Sequence, residues 1–360
     1  MPEFESVRSK KKTQRKQPIL QVLFPCKGDS VGEIIRKIVF LAAIAVLIAA
    51  TAIVLNFYIF KPWSDDKAQN ELDDLRGPTS NDVISIKITS TNSDGNTEEK
   101  EVNILEEYAE YYKANSDTVG YLEIYPYVRT PVVQTVDNDF YLHHDFNKVP
   151  IENGTVFADY EIPITSDSVP ANTIIYGHNL ITRNVFQPIV NYRTQGIDFL
   201  KENYRINFDT IYEKNQYLVF AVMLVNFDPS RGEVFNYQNY VSFNNKSEFD
   251  NFVAECLDRS YYYTGIDIEY GDELLTISTC DFSLYRYDMR LAVVARKVRD
   301  GESPVLDPET FIDNTGYDEN GKNKQKMFRE YYDIFSHREW GGRKWDPSYI
   351  KDFKGYDLWE

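Results

Sequence analysis

The rhythm of apolar positions divides this chain into stretches of different character. From Ile38 to Phe60 no residue carries a charge, a run of 23. As a helix rising about 1.5 Å per residue it extends about 34 Å, enough to cross a hydrocarbon core about 30 Å thick. The run therefore predicts a membrane span. Ala50-Thr51-Ala52 looks like the small-residue cleavage site of a signal peptide, but apolar residues continue from Ile53 to Phe60 beyond it, which favours an uncleaved anchor. The next stretch, Lys61 to about Asn103, is polar and acidic, broken by Gly77-Pro78 and by the turn-forming run Asn92-Ser93-Asp94-Gly95-Asn96. Within it Val83 to Ile88 alternates like a strand, and Glu101 to Ile104 is placed to pair with it across that turn. Ile104, Leu105, Tyr108, Tyr111 and Tyr112 then make the apolar stripe of a helix ending near Asn115. From Val119 to Val298 short β-rich runs follow one another, with one helical pattern at Ser247 to Arg259. An antiparallel barrel is the natural closure for so many short strands.

Two of these runs end in reactive side chains. Leu274-Leu275-Thr276-Ile277-Ser278-Thr279-Cys280 ends in a thiol, and Thr173-Ile174-Ile175-Tyr176-Gly177-His178 in an imidazole. Alternate side chains of a strand share a face, so Thr276, Ser278 and Cys280 point one way and Leu275 and Ile277 the other, into a core. The next strand, roughly Asp288 to Val298, sets Leu291, Val293 and Ala295 on its apolar side and Arg290, Ala292 and Val294 on the opposite one. A nucleophile, a base and a cation thus converge on one groove. A thiol attacks a carbonyl as thiolate, and an acid must protonate the departing amine. At ordinary pKa values about 3% of the thiol and about a quarter of the imidazole are in the active form at pH 7, so on the order of 1% of molecules hold both. A neighbouring Arg raises that fraction and offers a fork of donors to an oxyanion.

Charge and composition narrow the setting. The chain of 360 residues is 42% apolar and 15% aromatic, enough for a sizeable core. Residues 1–37 hold nine Lys or Arg against four Asp or Glu, which keeps this tail cytoplasmic and exports the chain beyond Lys61. Subtracting these from the chain's 39 basic and 56 acidic residues leaves 30 against 52, a net of −22 outside. Such a surface repels phosphate backbones and argues against nucleic acid as a partner. Cys26 falls on the cytoplasmic side. Cys256 shares a helical stripe with Phe249, Phe252, Val253 and Leu257 and reads as a core thiol, so Cys280 is expected to be free. His143-His144 does not suggest a metal, since neighbours in a strand face opposite ways and no Cys or carboxylate motif completes a site. Without a GxSxG, HExxH, CxxC or glycine-rich phosphate loop, no cofactor is expected. The end of the chain opens with turn chemistry (Pro304, Asp307-Pro308, Asn314-Thr315-Gly316, Asn320-Gly321) and then turns aromatic. Met327, Phe328, Tyr331 and Phe335 fit a helical face, followed by Trp340, Trp345 and Trp359. Such density reads as packing on a barrel wall, or else as a lid or docking surface.

Over about Ile104 to Val298 the chain resembles the class B sortases, membrane-anchored cysteine transpeptidases of Gram-positive bacteria. The resemblance rests on Tyr176-Gly177-His178 and on Thr276 to Cys280 followed ten residues later by Arg290. Upstream it includes Asp117-Thr118-Val119-Gly120-Tyr121, Thr130-Pro131-Val132-Val133-Gln134, Asp137-Asn138 and Tyr141-Leu142. Ile277 stands where the family usually has Leu, and about sixty residues follow the point where such domains normally stop. The resemblance implies an eight-stranded sortase-type antiparallel β-barrel, mainly β, with helices before it and one inserted. It implies catalytic roles for Cys280, His178 and Arg290, the ten-residue spacing favouring Arg290 over Arg286 or Arg296. Asn138, Leu142, Ser278 and Asp281 would contact substrate; Asp281 beside a thiolate repels its charge and fits binding better than activation. The expected organisation is a cytoplasmic tail (1–37), an anchor (38–60), an extracellular spacer (61–103), a catalytic domain (104–300) and an extension (301–360). The implied reaction cuts the C-terminal sorting signal of secreted proteins through an acyl-thioester and passes the protein to an amine of a peptidoglycan precursor. A pilin lysine is the alternative amine, simple endopeptidase activity a further option, and a non-catalytic surface-binding module an alternative of another class.

Overall fold

The computed structural model describes residues 22–91, 97–168, 170–179, 186–229, 233–281 and 289–326. The chain forms two compact units, Met1–Ser64 and Asp65–Glu360. In the first, helix α1 (Val31–Leu55) starts at Ser30, whose hydroxyl accepts the Glu33 N–H and satisfies one of the helix's open donors. It continues through a π-helical stretch, Asn56–Phe60, to make a 30-residue helical run long and apolar enough to cross a membrane. Val46, Leu47, Ile48 and Ile53 on this run are exposed, as lipid-facing side chains are.

The stretch expected to be spacer is more ordered than its polarity suggested. It holds helix α2 (Lys61–Asp73) and the hairpin of β1 (Val83–Thr91) and β2 (Thr97–Leu105), paired from Val83↔Leu105 to Thr91↔Thr97. The turn Asn92–Asn96 lies outside the described residues. Ile104 and Leu105, expected in a helix, are the last residues of β2; the helix is confined to a 3-10 turn, Glu106–Tyr108, and α3 (Ala109–Ala114). The hairpin wins these two residues because Ile84 and Val83 sit opposite them in the ladder.

Eight strands then close a barrel. In chain order these are β3 (Thr118–Ile124), β4 (Val128–Val133), β5 (Phe157–Ala158), β6 (Asn172–Tyr176), β7 (Arg205–Thr210), β8 (Gln216–Asn226), β10 (Leu274–Cys280) and β11 (Met289–Lys297). Around the barrel they run β10-β11-β8-β7-β3-β4-β5-β6. The expectation of an antiparallel barrel is met in six neighbour pairs, but β4 with β5 and β6 with β10 are parallel. Parallel neighbours need long crossovers, and the chain supplies them: residues 134–156 separate the first pair, and residues 177–273, which include β7 and β8, separate the second.

Two short helices, α4 (Asn191–Thr194) and α5 (Ile197–Asn203), precede β7. The inserted helix α6 (Lys246–Arg259) falls within one residue of its expected start, capped by the Asn245 side chain. Inside the barrel, Leu275, Ile277, Leu291, Val293 and Ala295 pack with Leu122, Ile174 and Val222. On the outside, Ala292 and Val294 with Phe220 and Met223 of β8 are covered by Phe249, Phe252 and Cys256 of α6. Both faces of β10 and β11 are therefore buried. A third cluster joins Tyr108 and Tyr111 to Tyr121, Tyr141, Phe146 and Phe157 beneath the hairpin.

Candidate active site

The end of the β10–β11 ladder sets Cys280 opposite Arg290. On its other side β10 runs parallel to β6 with Ser278 opposite Tyr176. Two residues further along each strand stand Cys280 and His178, so the parallel register brings thiol and imidazole to the same edge. Three bonds continue the pairing past the strand ends. Gly177 N–H donates to the Ser278 carbonyl at 3.3 Å, the Thr279 hydroxyl to the Gly177 carbonyl at 2.8 Å, and the Asn179 amide to the Cys280 carbonyl at 2.9 Å. Gly177 has no room for a side chain, since a Cβ there would lie 2.6 Å from the buried Phe186 ring.

Cys280, His178 and Arg290 line one pocket of about 440 Å3, along with Asn138, Leu142 and Ser278. Cys280 is half-buried, while Cys256 is fully buried on the face of α6 packed against the barrel, where burial pushes its thiol well up from the ordinary range. His178 Nε2 donates to the Leu142 carbonyl at 3.0 Å. The Arg290 guanidinium lies over the Phe227 ring at 5.5 Å and donates to the Met289 carbonyl at 3.1 Å, so both a π face and a backbone dipole orient it. Of the other cations considered, Arg286 is outside the described residues. Arg296 lies opposite Leu274 at the far end of the ladder, buried and bonded to both carboxylate oxygens of Glu302 at 2.5 and 2.6 Å.

The four residues expected at the substrate part company here. Asn138 and Leu142 stand on the pocket wall, and the Asn138 amide donates to Asp159 at 3.0 Å while its oxygen accepts the Tyr160 N–H. Ser278 also lines the pocket, but it is 2% exposed and its hydroxyl is 2.5 Å from that of Tyr237. Asp281 is not among the lining residues. It is 1% exposed, and its carboxylate pairs with Arg193 of α4 at 2.8 Å.

Several site residues gave no signal in the sequence. Tyr237 comes from the segment between β8 and α6, and burial pushes its phenol up to about 12, against the opposing pull of its bond to Ser278 and of the Arg290 charge. Tyr176, the last residue of β6 and already singled out within Tyr176-Gly177-His178, donates to Asp159 at 2.8 Å, and burial followed by that carboxylate's charge raises its phenol well above the usual range. Asp159, Tyr160 and Glu161 form a wall with Gln238 and Asn239. A Tyr or Asp in a loop has no periodicity to mark it, and these are assembled from segments about 80 residues apart. Among the described residues no group of His, Cys, Asp and Glu is arranged to hold a metal ion.

No family model matches the chain. Two relatives do. Sortase B of Listeria monocytogenes is 26% identical over 239 residues, 64% of this chain and 88% of the relative. Sortase B of Staphylococcus aureus is 26% identical over 190 residues, 52% of this chain and 72% of the relative. The crystal structure of sortase B from Bacillus anthracis shares the fold, with a TM-score of 0.52 and 22% identity over 67% of this chain and 100% of that one.

Proposed function

Because the chain is a class B sortase, and so a cysteine transpeptidase, we propose that it cuts a C-terminal sorting signal from secreted proteins and joins them to an amine of a cell-wall precursor. The observation that carries this reading is the meeting of Cys280, Arg290 and His178 at one strand edge on one pocket. In this reading the Cys280 thiolate adds to the scissile carbonyl, and the Arg290 fork binds the oxyanion that forms. Protonated His178 gives its proton to the departing amine as the C–N bond breaks, leaving an acyl-thioester and a neutral imidazole. The acceptor amine then adds to the thioester, His178 takes the amine's proton, and collapse expels the thiolate with a new amide in place. Asn138, Leu142 and Ser278 are the proposed substrate contacts.

The proposed setting is a single-pass membrane protein with the basic tail, residues 1–37, in the cytoplasm and the catalytic unit outside. The uncharged run from Ile38 to Phe60 and the nine basic residues before it support that orientation.

The test is product analysis. Full-length protein in detergent is incubated with a library of sorting-signal peptides, with and without candidate amines, and products are identified by mass spectrometry. The expected result is a peptide–amine adduct with the amine, slower hydrolysis without it, and neither with Cys280→Ala. Hydrolysis that ignores every amine would sink the transfer step, and comparable cleavage by Cys280→Ala would sink the mechanism.

A further inference from the structure

His178 is oriented by a main-chain carbonyl, and a carbonyl only accepts, so Nε2 carries the hydrogen of that 3.0 Å bond. In the neutral ring Nδ1 then bears the free lone pair. The bond at one nitrogen thereby selects the nitrogen that exchanges protons with the pocket. The Tyr141–Leu142 segment that carries this carbonyl is held at two points. On one side the buried Tyr141 phenol donates to Asp117 at 2.8 Å and accepts from the Asn115 amide at 2.8 Å, while the Tyr141 carbonyl accepts the Thr155 N–H at 2.8 Å. On the other side stands Gly154, with φ +61°, where a Cβ would lie 2.5 Å from the Tyr141 oxygen and 2.7 Å from the Leu142 oxygen. Both atoms belong to backbone, which cannot rotate out of the way as a flexible side chain can.

We propose that Gly154 is a positioning residue for His178. Its missing side chain lets the turn leading to Thr155 close on the successive Tyr141 and Leu142 carbonyls, and that closure sets the Leu142 carbonyl that fixes the ring's protonated nitrogen. A side chain at 154 has to push these two carbonyls away, loosening the Leu142 bond to His178 and freeing the ring to populate the other tautomer. The proposal rests on the reading of His178 as the proton-transfer group, and its consequence for the tautomer is independent of any substrate.

The experiment uses full-length protein with 15N-labelled histidine in detergent micelles, at alkaline pH where imidazoles are neutral. The His178 signals are assigned with His178→Gln. The wild type is expected to show the Nε2–H form alone, and Gly154→Ala a mixture with Nδ1–H. Turnover of a sorting peptide by Gly154→Ala should fall about tenfold to a hundredfold, the scale for a displaced catalytic group, with KM little changed. Gly265→Ala is the control for backbone strain, because Gly265 has φ +73° and open space around it. It should leave tautomer and kcat as they are. Should Gly154→Ala not fold, Tyr141→Phe removes the phenol that anchors the residue next before Leu142 and should shift the tautomer the same way to a smaller extent. Wild-type tautomer and kcat in Gly154→Ala, or in Tyr141→Phe where Gly154→Ala does not fold, would overturn the proposal, as would equal changes in Gly265→Ala. If the wild type transfers no peptide, the functional reading fails while the tautomer comparison still decides the role of Gly154.

Discussion

Arg290 stands across the ladder from Cys280, braced by the Phe227 ring and the Met289 carbonyl, so its planar fork is presented in a fixed orientation rather than as a loose charge. Arg290→Ala is therefore expected to lower kcat by about 10² to 10³, the range for one lost oxyanion donor, with the fold intact. Arg290→Lys should recover little, because the ammonium keeps the charge and loses the fork. Steady-state cleavage of a sorting peptide checks both, and full activity in Arg290→Ala with loss in Arg286→Ala would move the role. At this scale the thiol, imidazole and cation were legible because each ends or begins a β-patterned run. The burial around them was not. Thr276, Ser278 and Cys280 share a polar face, yet Thr276 is fully buried and bonded to Asn172 and Ser278 is covered by Tyr237, which leaves Cys280 alone of the three half-exposed. Tyr237 lies about 40 positions upstream of Ser278 and Asn172 about 100 upstream of Thr276, beyond the reach of any alternation rule.

Elements β6 and β10 position the site by a parallel pairing that no local pattern announces, since alternation fixes which face a residue takes but not which strand lies beside it. Short elements escaped for a related reason. Four residues of α4 and seven of α5 are too few for helical periodicity to emerge. Yet α4 carries Arg193, whose pair with Asp281 ties this helix to the residue next after Cys280, with the two side chains 7% and 1% exposed. Sequence reasoning gave Asp281 a place at the substrate; its burial makes it a strut between elements. Asp281→Asn leaves a buried guanidinium short of its counter-charge and should cost about 3 to 5 kcal/mol in denaturant unfolding, the scale for breaking a buried pair from one side. Activity should fall through misplacement of Cys280, in kcat more than in KM. A raised KM with unchanged stability would return Asp281 to the role of substrate contact.

For the whole molecule, the number and spacing of short β-runs made a closed barrel legible, and the resemblance supplied eight strands. The extension beyond the barrel remained open, and its aromatic stripe from Met327 to Phe335, with Trp340, Trp345 and Trp359, lies outside the described residues. The part before it is bound to the catalytic unit. Phe311 is buried in the interior cluster with Leu306 against it, Ile312 and Asp313 form a strand, β12, antiparallel to β9 (Tyr262–Tyr263), and Asn314 bonds to the Tyr261 and Ser260 backbone. Glu302 bonds both ends of the buried Arg296 fork, and the Arg296 cation holds the Glu302 carboxyl down at about 2. A chain ended at Val298 loses all of these, whereas one ended at Lys326 keeps them. Loss of Glu302 strands a buried cation, about 3 kcal/mol or more, and loss of Phe311 costs about 3 kcal/mol. At about 2 to 4 °C per kcal/mol for a domain of this size, the shorter chain should melt more than about 10 °C below the longer one. Differential scanning calorimetry of the two truncations decides it, and equal melting temperatures would mean that residues 299–326 merely lie against the barrel without stabilising it.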